Sequence, residues 1–409
     1  MRPALVSYLL ISGLAAIITF AAVPVFLKKA KQWGPATNGD SFGGKGKSET
    51  PVLGGLAMFA GFVISFMVAR FSGMFDTVFT GSEGAIDWMS LSESAAIVLA
   101  AGIACMVGFV DDLKDISAPG KAAGIAMVGV TLVLGGINII WFRIPFLDAF
   151  VIDYNLTFLV TVLWVLGMSN AINFIDGLDG LAAGIIAIGA LTFMLYGFRL
   201  GQVDLLQPTN IGPLIAAIAF GICVGFLPWN FHPAKIFMGD SGSLLLGCLM
   251  AASTMAVGGR TPDPFSGQTF FFYAPLVIPL VILGVPIIDT AFAIIRRASS
   301  GQGIATADKD HLHHRLMRLG HGHRRSVAIL WAWTALLSAF VLYPTYNEGR
   351  GDAIVPIGVA ILGGLLYLGL LVFTLRPGPN EKVIETGVRD KAEINLKSSV
   401  DLRAGIKKS

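Results

Sequence analysis

Apolar residues recur along this chain in long unbroken runs. They show neither the alternation of a half-buried strand nor the one-sided stripe of a water-facing helix. A bilayer core takes about 20 such residues per helix. Runs of this kind fall near 4–27, 50–70, 94–110, 121–141, 156–171, 178–198, 211–227, 242–258, 269–295, 327–343 and 353–375. They predict an all-α, polytopic integral membrane protein with about eleven transmembrane helices. The first run follows only Met1, Arg2 and Pro3 and carries no A-x-A cleavage pattern, so it reads as a retained anchor. The longest polar stretches, near 296–326 and beyond about 376, are too short for an independent domain. The expected organisation is one transmembrane unit over 1–375 and a flexible, solvated tail over 376–409.

Composition narrows the class further. Charged residues make up 13% of the 409, where a soluble domain carries about 25%. An ordinary soluble globular protein, a disordered chain and a disulfide scaffold are thereby excluded. A formal net charge of +3 is too small to point to nucleic acid. Cys105, Cys223 and Cys248 stand in apolar runs without metal or disulfide spacing, so they read as small hydrophobes.

Lys and Arg set the sidedness. With the spans alternating, 23 of the 29 basic residues fall on one side and 6 on the other. The rich side is expected to be cytoplasmic, which puts the N-terminus outside and the C-terminus inside. Every dense polar cluster falls at a cytoplasmic helix end, whereas the outer acids Asp76, Glu83, Asp87 and Glu93 are scattered through solvated loops.

Five clusters stand out. Lys47-Ser-Glu-Thr50-Pro51-Val-Leu-Gly54-Gly55 ends like a P-loop, but Ser41 replaces the leading glycine and no strand precedes it. It predicts a helix start with Thr50 as N-cap and Pro51 in the first turn, with Lys47 free to contact phosphate. Asp111 and Asp112 close an otherwise apolar helix, where the helix dipole disfavours acids. A divalent cation, or Lys114 or Lys121, would offset that cost. Asn173, Asp176 and Asp179 follow at i, i+3 spacing between two apolar runs, with Gly177 and Gly180 interleaved. A broken helix or a short loop would offer three oxygen-bearing groups to a hard cation or to sugar hydroxyls. Asn230 through Asp240-Ser-Gly-Ser243 sets an isolated acid before another apolar run; a plain N-cap is the bland alternative. His311-Leu-His313-His314-Arg315 lacks the spacing of a zinc peptidase; it could hold zinc or grip phosphates. His321 and His323 read as ordinary loop residues. Asp289, inside an apolar run, is a weak sign of a buried pair or a pathway.

Together these motifs resemble the polyprenyl-phosphate N-acetylhexosamine-1-phosphate transferases, over about Lys47 to Arg325. The five motifs in this order on one membrane side carry the resemblance. It implies a cytosolic UDP-N-acetylhexosamine, a membrane-bound undecaprenyl phosphate, products polyprenyl-diphosphate-sugar and UMP, and Mg²⁺ (or Mn²⁺) as cofactor. By the family pattern Asp111 and Asp112 are the catalytic pair, and Asp240 with Asn173 holds the metal. Lys47, Lys121, His311, His313 and His314 grip phosphates, while Asp176, Asp179 and Asn230 shape the nucleotide pocket. The His-x-His-His spelling resembles the GlcNAc-1-phosphate branch more than the MurNAc-pentapeptide branch, whose three histidines are consecutive. The family also implies a bacterial inner membrane, and a homodimer is among its expected states. The rival from another class is a proton- or cation-coupled transporter, which predicts acids at mid-membrane depth distributed toward both faces.

Overall fold

The computed structural model describes residues 2–33, 36–37, 50–80, 92–139, 141–143, 149–151, 153–258, 322–347 and 363. The chain divides into two units, Met1–Ala360 and Ile361–Ser409. The expected spans at 269–295 and 353–375, the tail, and Lys47, Asp289, His311, His313 and His314 lie outside the described residues.

Ten helices are described: α1 (Leu5–Trp33), α2 (Gly54–Phe71), α3 (Asp76–Thr80), α4 (Glu93–Lys114), α5 (Ala118–Leu134), α6 (Tyr154–Ile175), α7 (Leu181–Gln202), α8 (Gly212–Asn230), α9 (Gly239–Gly258) and α10 (His323–Tyr346). Two small antiparallel pairs accompany them: β1 (Ala36–Thr37) with β2 (Thr50–Pro51), and β3 (Trp141–Arg143) with β4 (Ala149–Val151). All of these elements belong to the first unit. Eight of the helices are long and apolar enough to cross a bilayer, and α5 is a shorter apolar helix. The protein is therefore a mostly helical, polytopic membrane protein, and each expected span within the described residues is a helix.

Helix α9 is the axis of this assembly. It packs against α4, α6, α8 and α2, and its apolar window is wholly buried. A helix enclosed on all sides must be thin where neighbours press closest, and α9 carries Gly239, Gly242 and Gly247. A Cβ on the facing Gly108 of α4 would collide with the backbone of Asp240, and one on Gly55 of α2 with the backbone of Gly242. Side chains hydrogen-bond between helices where apolar packing alone fixes no register. Ser253 Oγ donates to the Gly212 carbonyl at 2.8 Å, Trp164 Nε1 to Thr254 Oγ1 at 3.0 Å, and Ser12 Oγ to the Ala217 carbonyl at 2.8 Å.

Two boundaries differ from the hydropathy pattern. The run at 121–141 yields a helix that stops at Leu134, because Gly136 takes the left-handed conformation (φ +77°). The Gly136 and Ile137 amides then turn back to the carbonyls of Val133 and Leu132, both at 2.8 Å, closing the helix end. The expected N-cap at Thr50 is also corrected. Thr50–Pro51 is extended, and α2 begins at Gly54 without a side-chain cap. Its first amides are satisfied across the molecule: Gly54 and Gly55 N–H donate to the Phe237 and Met238 carbonyls, both at 3.0 Å. Phe237 N–H donates in turn to the Pro51 carbonyl at 3.0 Å. The segment before α2 is thus bonded to the segment before α9.

The N-terminal ends of α2, α5, α7, α9 and α10 meet the C-terminal ends of α4, α6 and α8 at one rim. The chain's start lies at the other rim, where Arg2 bonds the Gly201 carbonyl and Asp204 just past α7.

Candidate active site at one rim

Five of the residues singled out in the sequence converge here from four helices. Asp111 and Asp112 end α4, Lys121 lies in the first turn of α5, Asn173 in the last turn of α6, and Asp240 in the first turn of α9. Lys121 Nζ is the hub. It pairs with Asp111 Oδ2 at 2.9 Å and with Asp240 Oδ2, and it donates to Asn173 Oδ1 at 3.3 Å. Asn173 Nδ2 donates to Asp240 Oδ1 at 2.7 Å and to Ser243 Oγ at 2.8 Å. Lys114, the other cation near the pair, is exposed.

The two neighbouring aspartates have different partners. Asp111 faces Lys121, and its Oδ1 accepts from the Ile116 amide at 2.8 Å. Asp112 spends both oxygens on the start of α9, accepting from the Asp240 amide at 2.8 Å and the Ser241 amide at 3.1 Å. An acid disfavoured at the end of α4 is thereby favoured at the start of α9, where unpaired amides and the helix dipole present positive charge. Gly239 (φ +67°) makes this possible, since a Cβ there would fall 2.6 Å from Asp112 Oδ2.

Three oxygens from Asp111, Asp240 and Asn173 thus surround one cation, the Lys121 ammonium. An all-oxygen donor set around a positive charge fits a hard divalent ion such as Mg²⁺, which binds through one or two carboxylates and takes further ligands from substrate phosphates.

The α6–α7 connection is a turn, one of the two forms the sequence offered: Asn173 lies on α6, which ends at Ile175, and Asp176 and Asp179 lie in the turn. Gly180 (φ +77°) starts α7, and its amide donates to Asn230 Oδ1 at 3.0 Å. Asn230 is buried, and its Nδ2 donates to the Ile236 carbonyl at 3.1 Å. It holds the α6–α7 turn against the segment entering α9 and does not reach Lys121. Asp176 sits among carboxylates. Burial, then the nearby charges of Asp240, Asp112 and Asp179, push its pKa up to about 8. Asp179 turns to the α8–α9 segment, accepting from His232 Nδ1 at 2.7 Å and the Ala234 amide at 3.1 Å.

Sequence reasoning missed several participants. Ser243 and Ser241 look like ordinary small residues. His232 and His323 come from different elements, yet their rings stack with centroids 4.2 Å apart. No local pattern could have paired residues about ninety positions apart.

A polytopic membrane protein that gathers oxygen donors and a lysine at one membrane rim has the features of a membrane enzyme acting on phosphorylated substrates. The glycosyl transferase family 4 model matches residues 94–258, which span α4 through α9 and this cluster. The decaprenyl-phosphate N-acetylglucosaminephosphotransferase of Mycolicibacterium smegmatis is 35% identical over 340 residues, covering 81% of this chain and 80% of that protein. A Bacillus subtilis protein named "Probable undecaprenyl-phosphate N-acetylglucosaminyl 1-phosphate transferase" is 38% identical over 295 residues, 71% of this chain and 73% of its own. The phospho-N-acetylmuramoyl-pentapeptide-transferase of Staphylococcus aureus is more distant, 27% identical over 351 residues, 80% of this chain and 96% of its own. The chain belongs to glycosyl transferase family 4.

Proposed function

We propose that this protein transfers N-acetylglucosamine 1-phosphate from UDP-GlcNAc to a polyprenyl phosphate, undecaprenyl or decaprenyl, giving polyprenyl-diphosphate-GlcNAc and UMP. The reading is supported above all by the convergence of Asp111, Lys121, Asn173 and Asp240 at one rim. An anionic lipid headgroup and a cytosolic sugar nucleotide can both reach that level. The GlcNAc-named relatives are 35% and 38% identical and the MurNAc-pentapeptide relative 27%, which favours GlcNAc as the donor sugar.

In this mechanism the lipid phosphate oxygen attacks the β-phosphorus of the donor, and the bond to the UMP oxygen breaks. Both reactants are anions, so charge must be neutralised before they meet. Asp240 and Asn173 would hold Mg²⁺, which would supply charge neutralisation and orientation of the phosphates. Lys121, beside the Asp111 and Asp240 carboxylates, would donate to an oxygen of the incoming phosphate. Asp111 keeps the lipid phosphate deprotonated and oriented. Asp112 acts on the α9 start and fixes Asp240. Asp176 and Asp179 border the nucleotide side, with Asn230 holding their turn. Lys47, His311, His313 and His314 complete the phosphate grip. The enzyme would act in a bacterial inner membrane, initiating a cell-envelope polysaccharide.

The test is direct. Purified protein is incubated with undecaprenyl phosphate, Mg²⁺ and radiolabelled UDP-GlcNAc, and label is followed into lipid. Transfer that requires Mg²⁺ and releases UMP is expected. A folded sample that moves no label from any of several UDP-N-acetyl sugars would refute the reading.

A further inference from the structure

A second cluster of ligand-type side chains lies apart from the Lys121 hub. Asp179 from the α6–α7 turn, His232 from the α8–α9 segment and His323 from the first turn of α10 each place a ligand atom within 4.8 Å of the others. His232 Nδ1 is already 2.7 Å from Asp179 Oδ2. His323 Nε2 is buried and has no hydrogen-bond partner. A buried imidazole nitrogen left unpaired is costly unless something else engages it.

We propose that Asp179, His232 and His323 form a binding site for a borderline-soft divalent metal such as Zn²⁺, separate from the oxygen-lined Mg²⁺ position. Two imidazoles and one carboxylate are a common ligand set for that metal, with the fourth position left open. A tetrahedral zinc site keeps its ligand atoms about 3.4 Å apart, so the 2.7 Å His232–Asp179 pair would open slightly and the stacked rings would turn toward one another for all three to meet one ion. Metal bound at His232 Nδ1 needs the neutral tautomer with its proton on Nε2, so the hydrogen bond to Asp179 is exchanged for metal bonds and the ring keeps its one proton.

The surroundings supply the open position. A cavity of about 440 Å³ lined by His232, Pro233, Gly322, His323, Arg324 and Arg325 adjoins the cluster. Arg324 donates to the His232 carbonyl at 3.0 Å, so its guanidinium is engaged by backbone. The two guanidinium groups lower affinity for a bare dication and favour an anion as its fourth ligand. Metal here would join three elements that the chain brings together from far apart. It would fix the turn carrying Asp176 against the start of α10.

Co²⁺ is the probe, because its visible absorption reports coordination. Metal-stripped, detergent-purified full-length protein is titrated with Co²⁺, then with Zn²⁺ and with excess Mg²⁺. One equivalent of Co²⁺ should give the intense band of a four-coordinate site, displaced by Zn²⁺ and not by Mg²⁺. His323→Ala should weaken binding at least tenfold, and His313→Ala should leave it unchanged. Zn²⁺ should raise the melting temperature of the wild type and not that of His323→Ala. Absence of the band overturns the proposal, as does a band that survives His323→Ala or disappears in His313→Ala. A melting curve of metal-free His323→Ala that matches the wild type shows the loss of binding to be local. Transfer from UDP-GlcNAc under Mg²⁺ is measured on the same samples, so an inactive protein that still binds Co²⁺ would sink only the transferase reading.

Discussion

The two rims of the helical assembly each carry ion pairs, and the contrast between them shows what charge is for in this protein. At the rim holding the chain's start, Arg2 meets Asp204 at 2.6 Å, with 85% of the Asp204 side chain exposed. Water screens such a pair, and its contribution is about 0–1 kcal/mol. At the other rim Lys121 meets Asp111 and Asp240 with side-chain exposures of 17%, 13% and 28%. Removing three charged groups from water costs more than their mutual attraction returns unless the geometry is good and the remaining lone pairs are bonded. At this rim the Ile116 amide bonds Asp111 and the Asn173 side-chain amide bonds Asp240. Apolar residues would make a more stable junction. Charge concentrated at a buried, costly place points to chemistry, and charge at an exposed place to solubility and anchoring.

The contrast can be broken or sharpened by mutation. The largest effect is expected at the hub. Asp240→Asn and Asp111→Asn should each lower turnover by ~10²–10³-fold or more while the protein still inserts and folds, read by label transfer beside a melting curve. Near-wild-type rates in either would remove that residue from the site. Removing Mg²⁺ with a chelator should abolish transfer reversibly, and readdition should restore it.

A smaller and more discriminating effect belongs to Asp112. Asp112→Ala leaves the Asp240 and Ser241 amides without partners, at a cost of about 1–3 kcal/mol, and loosens the Asp240 position. Asp112→Asn retains one acceptor oxygen and should recover a measurable part of the activity lost in Asp112→Ala. Equal loss in both would assign the Asp112 charge itself to the chemistry.

Asp176 predicts a pH effect. Its pKa of about 8 lies above the unfolded value of 3.8, so between those limits the folded state binds more protons than the unfolded state. The stability this group contributes is fully present below about pH 4 and is lost as pH rises toward and through 8. Metal-free protein should therefore melt at lower temperature as pH increases over that window, and Asp176→Asn should flatten the slope. The smallest effect is expected at the far rim, where Arg2→Ala should change stability by about 1 kcal/mol or less and leave transfer unaltered.

Much of this was legible in the sequence because hydrophobicity is a local property. Each apolar run within the described residues became a helix, and the bias of Lys and Arg together with the polar clusters marked one rim before any contact was known. Asp111, Asn173 and Asp240 stood out because a charged or amide side chain beside a long apolar run has few inexpensive explanations. The exceptions share a cause. Thr50–Pro51 looked like a helix start because local capping rules see only the following residues, whereas its backbone bonds lie with Phe237. Asp112 looked equivalent to Asp111, and only the approach of α9, permitted by Gly108 and Gly239, gave it two amides to hold.

By itself, then, the sequence determined which of the described segments form helices long and apolar enough to cross a bilayer and at which end the polar groups gather, since both follow from the cost of placing each residue in lipid. Tertiary structure alone decided which carboxylate faces Lys121, which one anchors a helix, and that His232 and His323 stack beside Asp179. Those outcomes depend on the direction in which a side chain leaves one helix and the backbone it meets on another, a relation between residues a hundred positions apart that no local pattern encodes.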